Sequence, residues 1–117
     1  MTQIGLNHYL SVAKTLKNNT RALYEGVLGA TVQSPRPDVD IFTFANGSSM
    51  GIFYVAAGEA LTPAQHMHAL WLEFEVDDQF AAIVRLAKFG MQPFEYFNDE
   101  PKYFSAPGGQ VFGIAKR

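Results

Sequence analysis

The sequence predicts an α+β fold in which two βαβββ modules form one curved, cup-shaped mixed sheet with helices on its outer face. Three observations lead there. The order strand, helix, three strands is met twice along the chain. Residues recur at one spacing: Phe42, Gly47 and Met50-Gly51-Ile52 return 62 positions later as Phe104, Gly109 and Phe112-Gly113-Ile114. In "HALWLEFEV" the apolar residues Leu70, Leu72, Phe74 and Val76 alternate with Trp71, Glu73 and Glu75, the pattern of a sheet covered on one face only.

The elements follow in order. Residues 4–13 alternate as a strand. Residues 17–28 read as a helix, with Leu16, Leu23 and Val27 on one stripe and Tyr24 and Leu28 beside it. Asn18, Asn19 or Thr20 is expected to cap that helix and Gly29 to close it. "ATVQSP" is a short strand ended by prolines, "VDIFTFA" a strand, "NGSS" a turn and "MGIFYVAA" its hairpin partner. "GEALTPAQHM" reads as a linker. In the second half "HALWLEFEV" is a strand, and Asp77 or Asp78 caps a helix with the stripe Phe80, Ile83, Val84 and Ala87. Gly90 closes that helix. "MQPFEYF", "KYFSA" and "VFGIAK" are strands, the last two joined by "PGGQ". Residues 1–57 are thus a first module, 58–67 a linker and 68–117 a second module of a single domain, since neither half is long enough to bury a core alone.

Composition narrows the function. The chain has no cysteine, which excludes disulfides, thiolate metal sites and a cysteine nucleophile. A net charge of -2 and a pI near 5.8 lack the basic footprint of a nucleic-acid binder. No apolar run approaches the roughly 20 residues that span a bilayer, and the N-terminus shows no signal-peptide pattern. The expectation is a cytoplasmic protein with a small-molecule ligand and neither a nucleic-acid nor a membrane partner.

Strand parity locates a site. Leu70, Leu72, Phe74 and Val76 must face the helix, which turns Trp71, Glu73 and Glu75 into the cup. In the first strand Leu6, Leu10 and Val12 take the helix side and leave Asn7, Tyr9 and Ser11 for the cup. Gly51 and Gly113 lie inside strands, where Gly is roughly 0.5–1 kcal/mol less favourable than Ala. They mark either volume opened at the cup floor or a bulge that curves the sheet. The candidate ligand-binding residues are Asn7, Tyr9, Gly51, Phe53, Trp71, Glu73 and Gly113.

"LYEGVLGA", "FEVDD" and "YFSAPGGQVFGI", in this order and with the repeat, resemble the vicinal oxygen chelate superfamily of glyoxalases, bleomycin-resistance proteins and extradiol dioxygenases. The resemblance covers nearly the whole chain. It implies a place for a His or Gln early in the first strand of each half and for a Glu late in its last strand, four ligands that hold a divalent Lewis acid. Here three of those places fall on Trp71, Gly113 and Gly51. The fourth falls on His8 if counted from the helix and on Asn7 by parity. One ligand does not make a metal site. No metal or other cofactor is therefore expected, and His8 is the single secondary metal candidate. His66 and His68 read as a solvated linker pair.

The expected function is metal-independent binding of a small aromatic or cationic molecule, resembling the bleomycin-resistance type of sequestering protein. The resemblance also implies a homodimer. One alternative is an enzyme, either a glyoxalase-like lyase or isomerase or a dioxygenase-like enzyme, which the resemblance implies would need the missing metal ligands, or a metal-free enzyme with Glu73 as the catalytic candidate, activated by burial beside Trp71. The other is an interaction module whose cup is packed shut by Trp71 and the phenylalanines.

Overall fold

The computed structural model describes residues 1–96 and 101–117. The chain divides into two compact units, Met1–Ala60 and Leu61–Arg117. In each a strand leads into a helix and the chain returns through strands paired antiparallel to one another, so the α+β class holds.

In the first unit β1 (Asn7–Ala13) leads through a 3₁₀ turn, Lys14–Leu16, into α1 (Lys17–Arg21) and a π-helical turn, Ala22–Val27. Then come β2 (Thr31–Arg36), β3 (Val39–Thr43) and β4 (Ser49–Val55). The sheet order is β1-β4-β3-β2, with β1 parallel to β4 and the other pairs antiparallel. β1 starts later than its alternation suggests because its partner ends: the register stops at Asn7↔Ser49, and the Leu6 carbonyl takes a last bond from the Ser49 N–H at 2.9 Å. Ile4 and Leu6 are left exposed, Ile4 at 87%. None of the expected caps is used, since the helix grows directly out of the 3₁₀ turn and Thr20 is buried instead. The helix widens across Gly26, where the Leu28 N–H bonds the Leu23 carbonyl at 2.9 Å, and closes at Gly29 with φ +79°. β2 runs on through Pro35 on the sheet edge, where a missing N–H breaks no ladder.

The covered face of this sheet carries Val12, Phe42, Met50, Ile52 and Tyr54, with Tyr24 against Phe42 at 5.5 Å between ring centroids. Among them Asp40 is fully buried. Its carboxylate accepts bonds from Ser34 Oγ at 2.5 Å and Tyr54 Oη at 2.7 Å, and Arg21 Nε lies 3.4 Å away. Strands β2 and β4 and the helix thus all tie to one desolvated charge. Burial first, and the Asp40 carboxylate second, push the Tyr54 hydroxyl well above its ordinary pKa, so it stays a donor.

In the second unit α2 (Pro63–His66) precedes β5 (Leu72–Val76), α3 (Gln79–Lys88), β6 (Lys102–Ser105) and β7 (Val111–Lys116). The order is β5-β7-β6, with β5 parallel and β6 antiparallel to β7. The expected strand over residues 91–97 is reduced to one bridge, Phe94↔Tyr103, and its last residue, Phe97, lies outside the described residues. Pro93 beside the bridge has no N–H to give a ladder. The expected linker holds structure of its own: α2 has a capping box between Thr62 and Gln65 with Pro63 at its first position. His66 there is only 5% exposed, contrary to the solvated pair expected, whereas His68 is exposed.

Asp78 caps α3 by accepting from the Ala81 N–H at 3.0 Å. Gly90, at φ +99°, closes it as the Met91 N–H reaches the Leu86 carbonyl at 2.9 Å. The buried stripe is Ala82 and Leu86 and not the one expected, for Phe80 is 78% exposed. Gln79 sets this rotation: its Nε2 donates to the Ile114 carbonyl at 2.9 Å and turns the 79–82–86 face to the sheet. Phe104 stacks on Phe112 at 5.5 Å and Phe74 meets Phe112 at 5.6 Å, which gives this face an aromatic core. Among the described residues no helix is long and apolar enough to cross a membrane.

Tyr54→Phe would leave the buried Asp40 carboxylate one donor short. Urea denaturation should show a loss of about 1–3 kcal/mol with an unchanged m-value; an unaltered midpoint would show that Asp40 does not depend on this bond.

Candidate functional site

The pleat of β7 builds the site. Register places Glu73, Gly113, Tyr103 and Phe94 in one row across β5, β7, β6 and the bridge. Their neighbours Leu72, Phe74, Phe112 and Phe104 take the covered face, so this row belongs to the opposite one. A Cβ on Gly113 would stand 2.9 Å from Tyr103 Cε1 and 3.0 Å from Pro101 Cγ. The Tyr103 ring therefore lies across the bare glycine.

Other rings gather on it. Trp71 meets Tyr103 at 5.0 Å and 62°, Tyr96 at 5.2 Å and 65°, and Phe94 at 6.1 Å and 85°. Tyr96 packs edge-on to Tyr103 at 5.5 Å and 75°, and Phe94 runs nearly parallel to Tyr103 at 6.2 Å. Trp71 precedes β5 and is held from behind, its Nε1 donating to the Met67 carbonyl at 3.3 Å. Gln110 Nε2 anchors the approach to the strand through the Leu70 carbonyl at 2.7 Å. A recess of about 300 Å³ opens between residues 93–96 and 101–103. Glu73 and Glu75 are exposed.

In the first unit the same device has a different owner. A Cβ on Gly51 would come 2.6 Å from Tyr9 Cδ1, and Tyr9 in turn meets Phe53 at 5.9 Å. Tyr9 is 68% exposed. Asn7 shares its face, its Oδ1 accepting from Ser49 Oγ at 2.7 Å. His8 pairs in register with Met50 and takes the helix-side parity, so the choice left open by counting falls to Asn7 for the face of Tyr9 and Gly51. Register also makes Tyr9 the counterpart of Glu73, since the two stand opposite Gly51 and Gly113, and Asn7 the counterpart of Trp71.

The structure thus brings Asn7, Tyr9, Gly51 and Phe53 onto one face of the first unit, and Trp71, Glu73 and Gly113 onto one face of the second. The expectation that the two glycines open volume is corrected, because a tyrosine ring fills the space each leaves. Phe94, Tyr96 and Tyr103 were not among the candidates. Tyr103 was readable, since it has opposite parity to Phe104; Phe94 and Tyr96 were not, because their expected strand collapses to one bridge.

Three of the four places that the resemblance assigns to metal ligands, Trp71, Gly51 and Gly113, offer a divalent cation no side-chain donor. Glycine offers no side-chain donor, and the lone pair of the indole nitrogen of Trp71 belongs to its π system while its N–H is spent on Met67. Among the described residues no group of three or more His, Asp or Glu is placed to hold a metal ion.

Solved structures show the same architecture. An antibiotic-binding protein, TnmS3, from Streptomyces sp. CB03234 matches with a TM-score of 0.68 at 16% identity, over 99% of this chain and 98% of its own. A glyoxalase/bleomycin resistance protein from the same organism matches with a TM-score of 0.62 at 18% identity, over 93% and 98%. The manganese-bound fosfomycin resistance protein FosX from Listeria monocytogenes gives a TM-score of 0.70 at 15% identity, over 98% and 90%. The chain has the vicinal oxygen chelate fold. No family model matches the sequence, and no curated protein does. At such identities the likeness speaks for the vicinal oxygen chelate architecture alone, and the metal of FosX has no bearing on the donors of this chain.

Two outcomes are expected from these contacts. Gly113→Ala must push the Tyr103 ring against Pro101 and the ring cluster, so the emission of Trp71, the only tryptophan, should shift; Gly51→Ala should leave it unmoved, because exposed Tyr9 can swing aside. The second outcome concerns His66, whose Nδ1 is buried with no partner among the described residues. Burial lowers its pKa from the ordinary 6.5. The unfolded chain then takes up the proton first. Stability from this group is flat above about pH 6.5 and falls as pH drops below it, towards the folded pKa. Urea midpoints measured from pH 7.5 down to 5 should show this decline, and His66→Phe should flatten it.

Proposed function

We propose that the chain binds a small aromatic or cationic molecule, without a metal, on the ring cluster above Gly113. One observation carries this reading: Trp71, Phe94, Tyr96 and Tyr103, from three separate stretches, meet on the sheet face that α3 does not cover. Core packing does not require them there, since the covered face has its own aromatics in Phe74, Phe104 and Phe112. An added aromatic ring gains about 0.5–1.5 kcal/mol per ring contact beyond its buried area. Glu73 and Glu75 share this face by parity, and Glu95 and Lys102 line the recess, so charged groups of both signs stand near the rings. The antibiotic-binding and bleomycin-resistance neighbours support a binding role for such a face. The metal-free enzymatic alternative relies on Glu73 buried beside Trp71, and Glu73 is exposed.

The test is a ligand panel read by thermal shift and by Trp71 fluorescence, with metal analysis of the purified protein. The expected result is a metal-free protein with at least one aromatic or cationic hit, weakened roughly tenfold by Trp71→Ala. Tightly bound stoichiometric metal, or a turnover that Glu73→Gln abolishes, would overturn the reading.

A further inference from the structure

The turn between β3 and β4 holds the one Asn-Gly pair of the chain, Asn46-Gly47. Ala45, Asn46 and Gly47 are all exposed. Gly47 has φ +87°, and nothing lies within 4 Å of where its Cβ would stand, so that side of the backbone is open. Two groups able to react with each other are neighbours here: the backbone nitrogen of Gly47 and the side-chain amide of Asn46. Each is held. The Gly47 N–H donates to the Phe44 carbonyl at 2.9 Å. Asn46 Oδ1 accepts from the Ser48 N–H at 3.1 Å and from Ser48 Oγ at 2.8 Å, so its side chain folds back on its own turn. These bonds all lie between residues 44 and 48, and the ladder pair Thr43↔Ser49 closes the hairpin beneath them.

We infer that Asn46 is a self-modification site, deamidating through a cyclic imide at a rate set by local opening of this turn. The Gly47 nitrogen gives its proton to water and attacks Asn46 Cγ. The new C–N bond closes the imide ring, and the side-chain nitrogen takes up a proton and leaves as ammonia. Water then adds to one of the two imide carbonyls and reopens the ring, to aspartate through one and to isoaspartate through the other. Glycine favours the attack because it brings no side chain against the closing ring. The bond to Phe44 withholds the nitrogen, and the Ser48 donors pin the carbonyl it must reach. Ser48 is thus the restraining residue. Opening a tip whose residues are already exposed uncovers no core, so it costs far less than unfolding. Aspartate keeps an acceptor for the Ser48 donors. Isoaspartate adds a methylene to the main chain and draws the Gly47 N–H away from Phe44. Either product puts a negative charge at the hairpin tip.

The experiment incubates the intact chain at mildly alkaline pH in heavy-oxygen water, folded and in urea, and locates the product by peptide mapping with mass spectrometry. Heavy oxygen marks each imide that water has opened. Modification should fall on Asn46 and run at least about tenfold more slowly in the folded chain than in the unfolded one. Ser48→Ala should speed the folded chain about fivefold, as loss of one hydrogen bond allows, and leave the unfolded rate unchanged. In wild type, the folded rate should stay nearly flat with urea until the chain begins to unfold, because local opening exposes little surface. Modification mainly at another asparagine, or an unmodified Asn46 in the unfolded chain, would overturn the site. Equal folded and unfolded rates, or no effect of Ser48→Ala, would overturn the gating by the turn. A folded rate that climbs in step with the unfolded fraction would overturn local opening in favour of global unfolding.

Discussion

A tyrosine ring lies where a side chain on Gly113 would stand, and the exposed aromatic face of the second unit is built on that contact. Strand β7 is central in its sheet, paired to β5 on one side and β6 on the other, so its residues cannot move aside. With no Cβ in the way, the Tyr103 ring tips inward over the backbone instead of outward to solvent. Trp71 then finds a ring edge to meet, and Tyr96 and Phe94 complete the group. The hydrogen bond from Trp71 to the carbonyl of Met67, the residue that follows α2, joins the same group to a stretch that reads as a linker yet carries a capping box and a buried histidine.

The two units reuse the motif and then diverge. In the first, the ring over the strand glycine comes from the neighbouring parallel strand, as Tyr9; in the second it comes from the antiparallel neighbour, as Tyr103. The parallel-strand position that holds Tyr9 in one unit holds Glu73 in the other. The first unit thus has an exposed tyrosine leaning on Phe53, and the second an aromatic cluster with a carboxylate at its margin. Their interiors diverge as well. Asp40, tied to Tyr54, Ser34 and Arg21, fixes the helix of the first unit by charge and hydrogen bonding. Phe104, Phe112 and Phe74 do the corresponding work in the second by apolar contact. A buried charge with its partners in place specifies geometry more than it adds stability.

Much of this was legible beforehand. Glu73 and Glu75 are exposed while Leu72, Phe74 and Val76 are partly covered, as alternation requires. Asp78 caps and Gly90 closes as their chemistry dictates. The misses have physical causes. Phe80 lies outside the buried stripe because Gln79, a polar residue that periodicity discounts, bonds the β7 backbone and sets the rotation of α3. The strand expected at residues 91–97 had apolar alternation but also Pro93, which counted for more in its pairing. Of the site, Trp71, Glu73 and Gly113 were found by parity, and Tyr103 could have been found in the same way. Phe94 and Tyr96 could not.

The sequence by itself determined the order of elements, the repeat, and which residues of each strand share a face, because these depend on local periods and on caps within a few residues. It also determined that three of the four places that the resemblance assigns to metal ligands hold two glycines and an indole, since side-chain chemistry does not change on folding. Only the tertiary structure decided what fills the space above those glycines. A missing side chain reads the same whether a ligand or a ring from the next strand takes its place, and the choice between them is made by residues far apart in the chain.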